Sequence, residues 1–317
     1  MVESGGRDRR RDAIPRPTEA WVDASVDRPP PRDPPAPDLG PSAGQVLRAQ
    51  GGRCLVGLQA SREAFLKAPS SEPLHEIRVA LRRMRTLAVV YRDLLPARGR
   101  AARSEMKWLT DELDDARDLD VFVKAAGPAP ALRQALSAAR IRAYARAGAA
   151  LSSARGSKLM TTLEKTLAAP GAQSAVGRTR AAAPAREAAA SALKRWRKRL
   201  GGPKTELAAL SPTARHELRL RAKKVRYAAE LLGDLFGQPT RQRRFAAALR
   251  RLQDLLGDLN DIPAGAEVAR RLALQSDAPE AAFEAGVLAG AGAGREKSLI
   301  KKAQRAYARF WDAHPFW

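Results

Sequence analysis

The sequence predicts an all-α protein, and three observations support this fold class. Apolar residues recur at helical spacing from about Gly44 almost to the C-terminus. No long run shows the period-two alternation that is typical of a half-buried strand. Two segments, which begin at His75 and His216, repeat one pattern of basic and apolar residues and lie 141 positions apart. This period is far longer than that of solenoid repeats, so we expect an internal duplication whose two halves share a core.

The composition is strongly basic. The 317 residues include 57 Lys and Arg against 34 Asp and Glu, which gives a net charge of +23. A protein with such a field attracts anions, so the candidate partners are nucleic acid, an anionic membrane and polyphosphate. Aromatic residues make up only 5% of the chain, and Leu, Ala and Val must therefore supply most of the core.

The single cysteine and the N-terminus bear on the compartment. Cys54 has no partner for an internal disulfide, which fits a reducing environment. It sits among apolar residues, and we interpret it as a small core residue rather than a nucleophile. The N-terminus has no apolar signal-peptide core, and no stretch approaches the roughly 18 apolar residues of a membrane span. We therefore expect a cytoplasmic protein with no membrane span.

The segment from Met1 to Pro41 differs from the rest of the chain. It holds nine of the 22 prolines and few large apolar residues. Such a segment buries too little surface to fold alone. We predict a disordered, proline-rich tail over residues 1–41, which acts as a spacer or recruits a partner, and one helical domain over residues 42–317.

The first repeated segment predicts an amphipathic helix. A helix turns about 100° per residue, and four basic side chains therefore share a face within roughly 80°: His75, Arg78, Arg82 and Arg85. An apolar stripe lies about 120° round the same helix: Ile77, Leu81, Met84, Ala88, Tyr91 and Leu95. Pro73 stands at the start of this segment and Pro96 at its end.

The second repeated segment has the same two faces. Its basic stripe comprises His216, Arg219, Lys223 and Arg226, and its apolar stripe comprises Leu218, Ala222, Val225, Ala229, Leu232 and Phe236. Ser211-Pro212 predicts the start of the helix and Gly237 its end. Lys223 and Lys224 stand where the first copy has Arg82 and Arg83. Lysine lacks the bidentate fork of arginine, so the two stripes need not bind an anion equally.

Each basic helix is followed by a turn, a second helix and an acidic corner. Asp118 and Asp120 belong to the first corner, and Asp258 and Asp261 belong to the second. These carboxylates either cap the next helices or pair with the arginines, and we favour both interpretations over a metal site.

A loop is expected between the two halves. Pro170, Gly171 and Gly177 mark it near residues 172–180, and we divide the domain into halves of about 42–176 and 177–317. Alanine-rich segments predict further helices, which cover about residues 131–155, 187–200 and 295–311. Their basic residues either extend the basic surface or complement the helix dipoles.

The stripes themselves indicate a ligand. Like charges three and four residues apart on a helix repel one another, so a chain that stacks them twice is expected to hold a polyanion there. Arginine forks match phosphate oxygens. Each stripe histidine either donates to a phosphate oxygen or is a structural residue bonded to a backbone carbonyl or an acidic corner.

The combined pattern resembles the CHAD family, the conserved histidine α-helical domain. The resemblance rests on the two His-led basic helices, on Arg-Asp-Leu-Asp at 117–120 and on Leu-Asn-Asp at 259–261, and it covers about residues 42–317. It implies a helical bundle of two pseudo-symmetric halves around a basic groove. Members of this family bind inorganic polyphosphate, and some associate with polyphosphate granules. The chain looks like a stand-alone member, without the CYTH triphosphatase-like domain to which some members are fused.

We therefore predict a non-catalytic protein that needs no cofactor or metal and binds polyphosphate in the cytoplasm, at granules in particular. The predicted binding residues are His75, Arg78, Arg82, Arg83, Arg85, His216, Arg219, Lys223, Lys224 and Arg226. A general nucleic-acid binder is less favoured, because the stripes lack interleaved aromatic residues. An accessory role beside phosphate-metabolising enzymes is a further alternative. An enzyme is disfavoured, because the sequence has neither a P-loop nor an evident nucleophile–base pair.

Overall fold

A computed structural model describes residues 40–127, 129–172, 174–274 and 279–317. The predicted tail over residues 1–41 lies outside the described residues except for its last two, so its disorder stays a prediction. Within the described residues the fold is all α, as the sequence predicts, and no strand is present. Ser42 and Pro184 form an isolated β-bridge that holds the start of the first helix.

Eleven α-helices follow one another in the described part of the chain. They are α1 (Ala43–Lys67), α2 (Ser71–Val90), α3 (Ala97–Glu112), α4 (Asp114–Ala125), α5 (Pro130–Ser152), α6 (Ala154–Ala168), α7 (Ala175–Ala182), α8 (Ala185–Lys198), α9 (Pro212–Leu232), α10 (Pro239–Ala273) and α11 (Pro279–Asp312). Short 3₁₀ turns cover Arg92–Leu94, Leu207–Ala209 and Gly233–Phe236. None of these described helices has the length and apolarity needed to cross a bilayer.

Serine caps define the start of several helices. The Ser42 side chain accepts from the Gln45 backbone N–H at 3.3 Å, while the Gln45 side chain accepts from the Ser42 backbone N–H at 2.8 Å, which completes a capping box. Ser211 accepts from the Ala214 backbone N–H at 3.1 Å, and Pro212 follows it as the first helical residue. The predicted start of α9 is therefore confirmed.

The structure corrects the expected loop at residues 172–180. Among the described residues of this range, residues 175–180 are helical, since the Ser174 side chain accepts from the Gly177 backbone N–H at 2.9 Å and begins α7. Gly171 has a positive φ of 77°. A Cβ on either Gly171 or Gly177 would collide with the carbonyl oxygen of the other, so the turn packs against the first turn of α7 only with glycine at both positions.

Two other helix boundaries differ from expectation. α2 ends at Val90 rather than at Pro96, and the apolar stripe continues through the 3₁₀ turn that follows. α11 begins at Pro279, well before the expected residue 295. Its glycines lower helix propensity, but packing on α10 compensates: a Cβ at Gly292 would lie 3.4 Å from Ile262.

The predicted apolar stripes form the centre of the core. Ile77, Leu81 and Met84 of α2 and Ala222 and Val225 of α9 are all buried in one hydrophobic cluster. That cluster takes residues from both predicted halves and consists mainly of Leu and Ala. Cys54 is buried in it as well, and burial raises the pKa of its thiol, as expected for a core residue rather than a nucleophile.

The packing of the helices brings the two basic segments together. α2 packs on α1, α3, α4 and α9, and α9 packs on α8 and α10. The two helices that carry the repeated stripes are therefore direct neighbours. Each also contacts the helix that bears the acidic corner of its own repeat, which is α4 for α2 and α10 for α9.

Candidate functional site

The basic faces of α2 and α9 meet at one tyrosine. The Arg82 guanidinium donates to the Tyr227 hydroxyl and lies 4.5 Å from the ring centroid. Arg226 donates to the same hydroxyl at 3.1 Å, and its guanidinium lies 4.7 Å from the ring centroid. Tyr227 is buried, so a single aromatic side chain holds one arginine from each helix through hydrogen bonds and cation–π contacts.

Lys223 lies among the arginines of both stripes. Burial, followed by the positive charges of its neighbours, lowers the pKa of Lys223 to about 8. Those neighbours are Arg219, Arg82, Arg78 and Arg226. We call these five residues (Arg78, Arg82, Arg219, Lys223 and Arg226) the central cluster. It combines cations of α2 with cations of α9.

The carboxylates near the central cluster neutralise only part of it. Arg78 forms an ion pair with Asp114 at the start of α4, and Arg226 pairs with Glu230 at 3.2 Å. The remaining three members, Arg82, Arg219 and Lys223, form no ion pair with any described residue. The Nε of Arg219 is also buried without a hydrogen-bond partner.

The difference between Arg78 and Arg219 has a simple cause. When the two corner segments are aligned on Leu113 and Leu256, Gly257 occupies the position that Asp114 has in the first half. A Cβ at Gly257 would lie 3.8 Å from the Arg219 Nε. The second repeat thus places a glycine where the first provides a carboxylate, and Arg219 forms no ion pair with a described residue.

The acidic corners face the central cluster at matching positions. Desolvation raises the pKa of Asp118 and of Asp261, which are equivalent in the same alignment. Arg78 and Lys223 oppose the shift at Asp118, while Arg219 and Lys223 oppose it at Asp261. These carboxylates border the cations. Among the residues described, no group of three or more His, Cys, Asp or Glu side chains is arranged to hold a metal ion.

The two stripe histidines have different surroundings. His75 is exposed, and partial desolvation, followed by the charge of Arg117, lowers its pKa. The Nδ1 of His216 is hydrogen-bonded to the side-chain oxygen of Asn260. Asn260 is the residue that corresponds to Arg117 in the aligned corners. Each histidine therefore faces the equivalent position of its corner, and His216 has the structural contact that the sequence left as one of two alternatives.

A second group of cations continues from the central cluster toward the C-terminal end of α2. Lys224 lies 4.4 Å above the Trp196 ring of α8. Burial lowers its pKa, and four arginines contribute to the shift: Arg199, Arg103, Arg85 and Arg195. Burial also lowers the pKa of Arg85, with Asp111 opposing that shift and Arg103 adding to it. We call Arg85, Arg103, Arg195, Arg199 and Lys224 the outer cluster.

Arg83 faces another part of the molecule. It is exposed, and its charge acts on the Cys54 thiol of α1, whose pKa it lowers against the effect of burial. No interaction links it to the central or the outer cluster among the described residues. Arg221, which replaces the neutral Ala80 of the first repeat, pairs with Glu217 at 2.7 Å on the exposed side of α9.

Sequence reasoning missed the residues that support the cations. Tyr227, Trp196 and Gly257 were absent from the predicted site, as was Arg103. A signal existed for two of them. Tyr227 directly follows the second stripe, and Gly257 interrupts the acidic corner at the position of Asp114.

Comparison with known proteins agrees with this architecture. The family model for the CHAD domain matches residues 49–270. The crystal structure of the CHAD domain from the plant Ricinus communis is 25% identical in sequence, and the match covers 85% of this chain and 94% of that chain with a TM-score of 0.68. PptA from Streptomyces chartreusis is 23% identical, and the match covers 84% and 99% of the two chains with a TM-score of 0.56. A search of curated proteins gave no significant match.

Proposed function

The chain belongs to the CHAD domain family, and on that premise we propose that it binds inorganic polyphosphate without turning it over. The central cluster is the binding site in this proposal, and the outer cluster and the two histidines border it. The two basic helices act as the walls of one groove, and the two repeats form related halves of the domain.

The observation that carries the proposal is the unneutralised charge of Arg82, Arg219 and Lys223. Two unit charges about 4 Å apart repel by roughly 1 kcal/mol in water and about 4 kcal/mol at an effective dielectric constant of 20. Burial, followed by repulsion from the neighbouring arginines, lowers the pKa of Lys223 to about 8. A closely spaced polyanion relieves this repulsion, because each phosphate brings a negative charge and several acceptor oxygens.

The aromatic residues favour polyphosphate over single-stranded nucleic acid. Nucleic-acid binders stack bases on open aromatic faces. Here a cation covers the ring of Tyr227, and Lys224 covers that of Trp196. Both rings serve to position cations. A ligand that consists of phosphates alone makes full use of such a site.

The absence of catalysis is part of the proposal. Asp118 and Asp261 border the cations without forming an ion pair with a described residue, and burial raises the pKa of each carboxyl against the opposing charges of arginine and lysine. Neither carboxylate is hydrogen-bonded to a serine, threonine or cysteine among the described residues. Purified protein incubated with polyphosphate and a divalent cation is therefore expected to release no orthophosphate. The absence of catalysis would be contradicted if the unaltered protein released orthophosphate and a variant of the central cluster did not.

The test of binding uses one combined variant. Replacing Arg78, Arg82, Arg219 and Lys223 with Ala should abolish polyphosphate binding in calorimetry while the far-ultraviolet dichroism stays helical. Arg243 and Arg244 are exposed on α10 and form no ion pair with a described residue, so replacing them provides a control that removes charge elsewhere. Binding should also fall steeply with salt, because the affinity comes largely from counterion release.

Duplex DNA is the discriminating competitor. At matched phosphate concentration it should displace polyphosphate poorly, since a rigid duplex presents its phosphates on a wide cylinder rather than along a narrow groove. Equal competition would instead favour a general nucleic-acid binder. In cells, we expect a tagged protein in the cytoplasm to collect on polyphosphate granules. The central-cluster variant should instead stay diffuse.

A further inference from the structure

A surface cavity of about 410 Å³ lies beyond the C-terminal end of α2. It is lined by Arg92, Asp93, Arg100, Arg103 and Arg180. Four guanidinium groups therefore share the cavity with one carboxylate. Arg92 and Arg180 both approach Asp93, at 3.6 and 3.7 Å, so a single acid is divided between two arginines.

The other two arginines add charge that Asp93 does not offset. Arg100 donates to the backbone carbonyl of Leu95 at 2.8 Å, which fixes its position without neutralising it. Arg103 is exposed and forms no ion pair with a described residue. The negative end of the α2 dipole stabilises cations in the adjoining turn, but such an effect fades within one helical turn and does not account for arginines on α3 and α7.

Arg103 connects this cavity to the proposed binding site. Its charge lowers the pKa of Arg85 on α2 and of Lys224 on α9. Since Arg103 also lines the cavity, the outer cluster and the cavity share a residue. From His75 to Arg85 the α2 stripe spans about 15 Å of helix, at roughly 1.5 Å per residue. The cavity extends that line of charge past the end of the helix.

A larger basic cavity at the other end of α2 is of a different kind. It has a volume of about 820 Å³ and includes Arg117 and Arg140. Asp120 accepts from Arg140 at 2.6 Å and from the Tyr144 hydroxyl at 2.7 Å, and it lies 3.9 Å from Arg117. Its carboxylate is nearly buried, so these contacts anchor α4 to α5. Arg117 and Arg140 therefore already have a structural partner in Asp120, while Lys124 and Arg133 line the same cavity without an ion pair to a described residue.

We propose that the arginine cavity formed by Arg92, Arg100, Arg103 and Arg180 is a second anion subsite, which holds the continuation of a polyphosphate chain bound at the central cluster. This inference rests on the proposed function. It adds the direction in which the bound polyphosphate runs and the chain length that it needs to reach the cavity. A chain too short to pass the outer cluster contacts the central cluster alone. A long chain gains the arginines of the cavity.

The test compares short and long chains on two variants of opposite effect. The double variant Arg92→Gln with Arg180→Gln removes two exposed charges from the arginine cavity. Both residues lie outside the central and outer clusters. Asp93→Asn removes the one carboxylate that lines the cavity among the described residues. The matched control is Arg243→Gln with Arg244→Gln, which removes the same charge from α10. Binding of tripolyphosphate and of long-chain polyphosphate is measured by calorimetry at several salt concentrations.

We expect the Arg92/Arg180 double variant to bind long chains about three- to tenfold more weakly, in line with two exposed ion pairs. Its salt slope for long chains should fall by about one to two, because each lost phosphate contact removes roughly 0.7 to 0.9. Tripolyphosphate binding should stay the same. Asp93→Asn should strengthen binding of long chains only, which a folding defect does not imitate.

Three results would overturn the subsite. The first is an equal loss for short and long chains in the Arg92/Arg180 variant. The second is an equal loss in the Arg243/Arg244 control, which would indicate a general effect of net charge. The third is no gain from Asp93→Asn. Failure of the unaltered protein to bind either polyphosphate would overturn the proposed function as well, so the two hypotheses can be told apart.

Discussion

The Arg219 Nε lies 3.8 Å from the point where a Cβ on Gly257 would stand, whereas the equivalent arginine of the first repeat, Arg78, is paired with Asp114. Because the second repeat has a glycine where the first has a carboxylate, Arg78 is ion-paired and, within the described part of the chain, Arg219 is not. The sequence repeat gives α2 and α9 the same stripe, and each is followed by a similar acidic segment. In the proposed binding site, the difference at this position determines how much charge each helix presents to polyphosphate.

A carboxylate restored at position 257 should therefore weaken the site. We expect Gly257→Asp to pair with Arg219 and to lower polyphosphate affinity about three- to thirtyfold, since it removes one cation from a desolvated cluster. Gly257→Ala is the matched control, because it improves helix propensity without adding charge. Calorimetric titration of both variants checks the expectation, and an equal effect of Ala and Asp would show that the glycine matters for its shape.

The opposite change is available in the first repeat. Asp114→Asn should release Arg78 to the ligand and raise the affinity for polyphosphate. It should also lower the free energy of unfolding by roughly 1–3 kcal/mol, because Arg78 is only 13% exposed and loses its charged partner. Urea denaturation with and without ligand separates the two effects. A variant that binds more weakly than the unaltered protein, with its fold intact, would contradict the assignment of Arg78 to the site.

Much of the fold follows from periodicity in the sequence. The buried positions of α2 and α9 were predictable because a helix buries the residues that recur every three to four positions. The length of α11 was not, since its glycines weaken the local signal and only contact with α10 restores the helix. α7 was missed because so short a helix gives little periodicity and depends on the Ser174 cap.

The cations of the candidate site can be named from the sequence, but their arrangement in space cannot. Spacing along one chain places Arg82 and Lys223 on their own helices and says nothing of how two helices pack. The contact of Arg82 with Tyr227 therefore appears only in three dimensions. Arg83 shows the reverse case. It follows Arg82 by about 100° of rotation, so helical geometry already separates it from the stripe.

That separation gives a paired prediction for Arg82 and Arg83. Arg82→Ala should weaken polyphosphate binding by roughly 1–3 kcal/mol, because it removes a cation held in place by Tyr227. Arg83→Ala removes the same charge from an exposed position and should change affinity less than about twofold. The two single variants are compared by calorimetry in one buffer. Equal losses would mean that net charge alone determines binding.

Tyr227 should matter through its hydroxyl. Tyr227→Phe keeps the buried ring but removes the acceptor shared by Arg82 and Arg226. We expect the free energy of unfolding to fall by about 1.5–3 kcal/mol, the range for hydrogen bonds to charged groups. Affinity for polyphosphate should fall severalfold, because the two guanidinium groups lose their fixed orientation. Thermal unfolding and titration check the two parts, and unchanged affinity would assign Tyr227 to the fold alone.

Lys223 should make binding depend on pH. Its pKa is about 8 in the free protein, and a bound polyanion raises that value by favouring the charged form. Below pH 8 the lysine is charged in both states, so its contribution is constant. As the pH rises above 8, binding must take up a proton and affinity should fall by up to tenfold per pH unit. Lys223→Arg stays charged and should flatten the profile between pH 8 and pH 9.5, as should be visible in calorimetry performed in two buffers of different ionisation enthalpy.

The same lowered pKa means that charged Lys223 destabilises the native state. The unfolded lysine has a pKa near 10.5, so between pH 8 and 10.5 the unfolded state binds more protons than the native state. The free energy of unfolding should therefore rise with pH across this window. Below pH 8 it is lowered by the full cost of holding the charged lysine in the native state. Lys223→Met removes the charge and should stabilise the protein at pH 7 by roughly 1–3 kcal/mol, after allowance for solvent screening. It should weaken polyphosphate binding at the same time. Urea denaturation at pH 7 and pH 10 tests the sign, because a group kept for binding at the expense of stability must show both effects together.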